Sequence, residues 1–172
     1  MNPLRYIKAL FGLGDVDAFW MAREEILKRP GKHCLENYLC KIIRKHYGAG
    51  IPILPDINRF ATPHGFYGIF ISQRAKVGEG CVIYQQVTIG SNDLQNSRGG
   101  APTIGNNCLI GAGAKIIGNV HVGNNVRIGA NAIVVDDIPD NCTVVMNKPR
   151  VMINSINLLF ISKKCKQNMN FT

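Results

Sequence analysis

The sequence predicts a mainly β chain wound into a parallel β-helix behind a small N-terminal helical cap, and three observations carry the prediction. Stepping by six from Ile71 gives Val77, Ile83 and Ile89, and after one interruption the step resumes through Ile104, Ile110, Ile116, Val122, Ile128 and Val134. Four residues after these anchors come apolar and mostly small side chains: Ala75, Cys81, Val87, Cys108, Ala114, Val120, Val126, Ala132 and, in the last repeat, Ile138. Three residues after the anchors come Gly80, Asn92, Asn107, Gly113, Asn119, Asn125, Asn131 and Asp137, mostly the types that best tolerate left-handed backbone at a tight corner. An amphipathic helix would repeat its apolar positions near 3.6 and a half-buried strand near two, so a sustained period of six fits neither. It is the period of a solenoid whose turns hold three short strands and stack on the turns before and after.

Two stretches fall outside the repeat. Residues 15–29 and 34–48 read as helices separated by Pro30-Gly31, with Leu35, Tyr38, Leu39, Ile42 and Ile43 spaced along one apolar face. They are expected to cover the open end of the solenoid, whose unpaired edge would otherwise invite aggregation. The expected organisation is therefore a cap over 1–50, the β-helix over 51–150 with an excursion at 91–103, and a C-terminal tail over 151–172.

A chain of 172 residues, 46% hydrophobic, suffices for one main core. Gly14, Asp15 and Asp17 interrupt the apolar run near Ala9–Trp20 before a signal core or membrane span can form, which predicts a cytoplasmic protein. Six cysteines without a CxxC pair point to reduced thiols, with Cys81 and Cys108 as core fillers. The formal charge of +9 suits a polyanionic ligand as well as nucleic acid. No basic cluster is interleaved with stacking aromatics, so nucleic-acid binding is not expected. The basic KKCKQ after LLFIS leaves a peripheral membrane contact open, beside an ordinary solvated tail.

Between Ile89 and Ile104 the chain inserts SNDLQNSRGGAPT, too long for one hexapeptide and out of phase with it, so this segment must leave the prism as a loop. With PHGFYGIFIS (63–72), CVIYQQVTIGS (81–91), GAPTIGNNCLIGAGAKIIGNVHVGNNVRIGANAIVV (100–135) and NKPRVM (147–152), the chain resembles the hexapeptide-repeat acyltransferases. Within them it is similar to the serine acetyltransferase group and its short relatives encoded with surface-polysaccharide genes. The resemblance implies left-handed coiling, a homotrimer with active sites between subunits, and direct acetyl transfer from acetyl-CoA to a hydroxyl without an acyl-enzyme or a metal. The zinc enzymes built on such solenoids need closely spaced histidines, and no HxxxxH occurs here.

By the same resemblance His64 matches the family's first catalytic histidine, the base that takes the acceptor's proton; imidazole suits the task because it titrates near neutral pH. Asp56 is the nearest acid upstream to orient it. Gly111, Ala112, Gly129 and Ala130 match the small residues along which the pantetheine arm of coenzyme A runs, and Lys148 and Arg150 match its phosphate contacts. Coil corners demand glycine and alanine on their own account as well. His121, outside the prism, and His33 and His46, in the cap, read as surface residues.

The chain departs from the serine acetyltransferases at two places. They carry Asp immediately before the first histidine and Arg-His-Pro in the loop, whereas here Pro63 precedes His64 and the loop reads Gly100-Ala101-Pro102. Arg98 offers a substitute charge for substrate binding. These losses, of residues that help to hold the amino acid, shift the expected acceptor toward a sugar of a surface polysaccharide or its precursor, with serine O-acetylation as the alternative. An inactive scaffold would be favoured were His64 buried against its own subunit.

Overall fold

The computed structural model describes residues 16–28, 33–93 and 99–148. Helices α1 (Val16–Leu27) and α2 (His33–Tyr47) precede eleven strands: β1 (Phe70–Ile71), β2 (Lys76–Val77), β3 (Val82–Ile83), β4 (Thr88–Gly90), β5 (Thr103–Ile104), β6 (Leu109–Ile110), β7 (Lys115–Ile117), β8 (His121–Val122), β9 (Arg127–Ile128), β10 (Ile133–Val134) and β11 (Thr143–Val144). They form three parallel sheets, β1-β4-β7-β10, β2-β5-β8 and β3-β6-β9-β11, the faces of a left-handed hexapeptide prism. Each anchor ends a two-residue strand or lies at the centre of a three-residue one, and faces inward. Ile71 pairs with Ile89, Ile89 with Ile116 and Ile116 with Val134, and all ten anchors are buried.

The step from Phe70 to Thr88 spans three hexapeptides, and the longer step from Thr88 to Lys115 absorbs the excursion without breaking the sheet. The loop is pinched at its neck, where Asn92 and Gly100 exchange backbone hydrogen bonds of 2.9 and 3.1 Å.

Three details differ from the sequence reading. The last coil is two residues short: Ile138 bridges Val122 and so takes an anchor's place on its sheet instead of a position four after an anchor. Positive φ occurs at Gly80, Asn107, Gly113, Asn125 and Asn131 as expected, but Asn92, Asn119 and Asp137 do not adopt it, while Gln86 and Gly118 do. An irregular coil also precedes Ile71, since Gly50, Ile57 and Ala61 bridge Phe70, Val77 and Val82. It extends the core upward through Ile51, Ile53, Ile57 and Phe60, in a segment without the six-residue period.

The helices cap this irregular coil. Phe19 and Trp20 of α1 meet Phe60 and Phe66 edge to face, with ring centroids 4.9–5.9 Å apart. The buried Arg23 donates to the carbonyls of Leu54 and Ile57, so its charge is met by the backbone of the irregular coil. On α2, Leu39 and Ile43 are buried as expected, whereas Tyr38 is exposed.

One corner of the prism carries a column of side-chain oxygens. The backbone N–H of Glu79 donates to Asn106 Oδ1 at 2.8 Å, that of Asn106 to Asn124 Oδ1 at 2.8 Å, and that of Asn124 to Asp140 Oδ1 at 2.7 Å. These bonds hold the Asp140 carboxyl below the usual carboxylate range, the Asn124 backbone N–H being the main cause and its side chain the next.

Candidate functional site

His64 lies in the turn 63–68 that links the irregular coil to β1. Two features fix this turn. Phe66 is fully buried in the aromatic cluster beneath α1, and the Thr62 hydroxyl donates to the Gly65 carbonyl. Between them the His64 side chain is exposed, not buried against its own subunit. Its imidazole lies 5.8 Å from the ring of Tyr84, the residue that follows β3, at a tilt of 49°. The turn sits on the next corner of the prism, where the Gln86 N–H donates to the Tyr67 carbonyl at 2.8 Å.

The same edge carries the row of small residues. The N–H groups of Tyr84, Gly111 and Gly129 donate to Ile110, Ile128 and Val144 at 3.0, 2.8 and 2.8 Å, so these three residues stack one coil apart. Ala112 and Ala130 follow at the corner. A Cβ on Gly111 would lie 2.6 Å from the Ala130 nitrogen and 2.9 Å from the Gly129 carbonyl carbon. Packing of the coils therefore requires this glycine whatever else it serves. At Gly129 the nearest atom would be the Val144 oxygen at 3.1 Å, a looser fit.

Asp56 is placed elsewhere. It precedes Ile57 on the sheet of β2, β5 and β8, where its carboxylate pairs with Lys76 at 3.8 Å, both groups exposed. Lys148 is exposed beyond β11. Arg98, Arg150 and the KKCKQ segment lie outside the described residues. The neck of the excursion stands on the edge between β4 and β5, a different edge from that of His64, which follows β3. Within one chain the structure thus brings His64 together with Gly111, Ala112, Gly129 and Ala130, but neither with Asp56 nor with the neck of the loop.

Sequence reasoning missed Tyr84 and Gln86 as neighbours of the His64 turn. Their positions in the hexapeptide were legible, but the irregular coil hides its register from the sequence, so nothing indicated which coil His64 overlies. His121 is exposed, and its backbone N–H donates to Asp137 Oδ1 at 2.7 Å. His46 is exposed in α2 with its ring 4.6 Å from Tyr47. Among the described residues no three His, Cys, Asp or Glu side chains gather as a metal site would require, and no helix is long and apolar enough to cross a membrane.

Residues 101–136 match the family described as bacterial transferase hexapeptide (six repeats). Among curated relatives, a serine acetyltransferase of Synechococcus elongatus is 47% identical over 54% of this chain and 37% of its own length. A serine acetyltransferase of Bacillus pumilus is 31% identical over 96% of this chain and 73% of its own. Among solved structures, serine acetyltransferase isoform 3 of Entamoeba histolytica, in complex with cysteine, superposes with a TM-score of 0.66 at 31% identity, over 84% of this chain and 51% of its own. The chain thus spans from little over a third to about three quarters of the relatives it matches.

These relatives correct the sugar acceptor expected from the departures at Pro63 and in the loop, because the matching proteins are consistently named for serine. The departures themselves stand: proline precedes His64, and the loop lacks a second histidine. With matching hexapeptides, matching architecture and a relative aligned over 96% of this chain and 73% of its own length, the chain belongs to the serine acetyltransferase family.

Proposed function

We propose that the chain is a serine O-acetyltransferase that moves the acetyl group of acetyl-CoA directly to the hydroxyl of L-serine, with His64 as general base. The observation that carries this reading is the exposed imidazole of His64 on the same prism edge as Gly111, Ala112, Gly129 and Ala130. Small residues there let an extended thioester approach the backbone, and an imidazole at the head of the row is placed to accept the serine proton as the oxygen attacks the carbonyl. The tetrahedral intermediate then collapses, releasing the coenzyme A thiolate, which takes up the proton that the imidazole holds.

The active unit in this reading is a homotrimer. Its support is the placement of His64 and the excursion neck on different edges of one prism: a site that uses both must draw them from two neighbours. Asp56, on a third face, would likewise orient a His64 only across such a boundary. In the same reading Lys148 and Arg150 serve as phosphate contacts and Arg98 as a substrate contact. The reaction is assigned to the cytoplasm, in keeping with free thiols at Cys34, Cys40, Cys81, Cys108 and Cys142.

The test is thiol release from acetyl-CoA by the purified chain with L-serine, beside a His64→Ala control and a panel of amino sugars and oligosaccharides. Release with L-serine that is lost in the control supports the reading. Release with a saccharide alone, or L-serine turnover unchanged in His64→Ala, overturns it.

A further inference from the structure

One acceptor on this edge has no donor. Gln85 Oε1 is shielded from solvent and has no hydrogen-bond partner. A buried amide oxygen is costly to leave unpaired and asks for an explanation. The backbone around it is fixed on every side: the Tyr84 N–H donates to Ile110, the Gln86 N–H to Tyr67, and the Gln85 carbonyl accepts from the Gly113 N–H at 3.0 Å. Gly68 approaches so closely that a Cβ there would lie 3.4 Å from Gln86 Cα. Gln85 is therefore the middle residue of the corner onto which the 63–68 turn folds, and its chain neighbour Tyr84 is the residue whose ring meets His64.

His64 has the complementary gap. It makes no hydrogen bond among the described residues, and the acid nearest upstream, Asp56, is engaged with Lys76 on another face of the same prism. A general base with two nitrogens needs one of them held if the other is to present its lone pair to the substrate. A carboxylate commonly does this, but an amide oxygen also accepts one N–H, without adding charge.

We propose that Gln85 is the positioning residue of His64. The bond forms when the exposed His64 side chain turns onto the corner: one imidazole N–H then donates to Gln85 Oε1, which fixes the tautomer and leaves the lone pair of the other nitrogen directed at the acceptor hydroxyl. The assignment rests on His64 being the base. It places the orienting group on the same chain as the base, in the first regular coil, and assigns the buried Gln85 oxygen its donor.

The experiment compares the full chain with Gln85→Met, which keeps length but loses the acceptor, and Gln85→Glu, which keeps an acceptor. Long-range proton–nitrogen NMR of the histidines, with coenzyme A present and the imidazole neutral, reads the tautomer directly. A single His64 tautomer in the parent and in Gln85→Glu, with a mixture in Gln85→Met, is expected. In kinetics with acetyl-CoA and L-serine, Gln85→Met should lower kcat about tenfold or more at unchanged KM for acetyl-CoA, and Gln85→Glu should recover most of that loss. Circular dichroism checks that both variants fold, and Gln85→Leu replaces Gln85→Met if the latter does not. The same tautomer population with and without the acceptor overturns the proposal. A Gln85-dependent tautomer in a chain that does not turn over L-serine removes the substrate reading and leaves this one standing.

Discussion

The ring of His64 rests 5.8 Å from the ring of Tyr84, one in the irregular turn and the other just after β3. The regular coil thereby supplies a wall for a side chain that its own turn leaves exposed. A wall that limits the imidazole's rotation contributes through orientation, not chemistry. Tyr84→Phe, which keeps the ring, should leave kcat within about twofold of the parent, whereas Tyr84→Ala should lower it about tenfold. Equal turnover in Tyr84→Ala would show that the contact is incidental.

The two glycines of the small-residue row should separate structure from binding. Gly111→Ala forces a Cβ to within 2.6 Å of the Ala130 nitrogen, while Gly129→Ala meets the Val144 oxygen at 3.1 Å. Overpacking against backbone costs about 1–3 kcal/mol, so Gly111→Ala should lower the urea midpoint clearly and Gly129→Ala much less. If the row also carries the pantetheine arm, Gly129→Ala weakens coenzyme A binding measured by calorimetry, out of proportion to its small loss of stability. The reverse order of the two midpoints would contradict the packing argument.

Asp140 makes stability depend on pH. Its carboxyl is held below the range it has in the unfolded chain by the N–H of Asn124. The stabilisation is thus fully present above the unfolded value, about 3.9, and is lost as pH falls through the lower folded value. Asp140→Ala should lower the urea midpoint at pH 7, and the gap between parent and variant should narrow at about pH 3 and below. A gap that stays constant over that range would mean that the ionised form is not what matters.

The cysteines should label unequally. Cys34 is exposed, whereas Cys81 and Cys108 are buried in adjacent coils and donate to the carbonyls of Gly105 and Gly123 at 3.2 and 3.1 Å. Hydrogen bonding to the Cys108 sulfur and burial both push the Cys81 thiol up. A short exposure of the native chain to iodoacetamide, followed by peptide mass mapping, should therefore modify Cys34 and spare Cys81 and Cys108 until denaturant is added. Early modification of Cys81 would mean that the coils open locally.

The regular coils were legible because burial repeats: every anchor from Ile71 to Val134 points inward, and one residue type per position sufficed to show it. What had no period was read less well. Ile57 and Ala61 carry a coil whose spacing follows no hexapeptide, so the register that sets His64 over Tyr84 could not be counted. Ile138 was misplaced because a coil shortened by two residues looks, in sequence, like a continuing one. Gln86 bends through positive φ without being a residue type that announces it, because it stands three after Ile83, the corner position that Gly80 and Asn107 hold in their own repeats. At the candidate site, His64 was singled out through the string around it, but its neighbours were not, because they belong to another coil. The acceptor was misjudged by weighing the residues that are missing, Asp before His64 and histidine in the loop, above the similarity of everything that remains.

The column from Glu79 through Asn106 and Asn124 to Asp140 has a direction. Each backbone N–H reaches the oxygen one coil further along, and the last oxygen belongs to a carboxylate rather than to another carboxamide. A coil duplicated in the middle, bringing its own asparagine, would relay the pattern unchanged. One appended after Asp140 would first have to restore the two residues by which the last coil is short. Changes in length within such a prism are therefore admissible in its interior and resisted at its far end, which gives the gene a favoured place to grow.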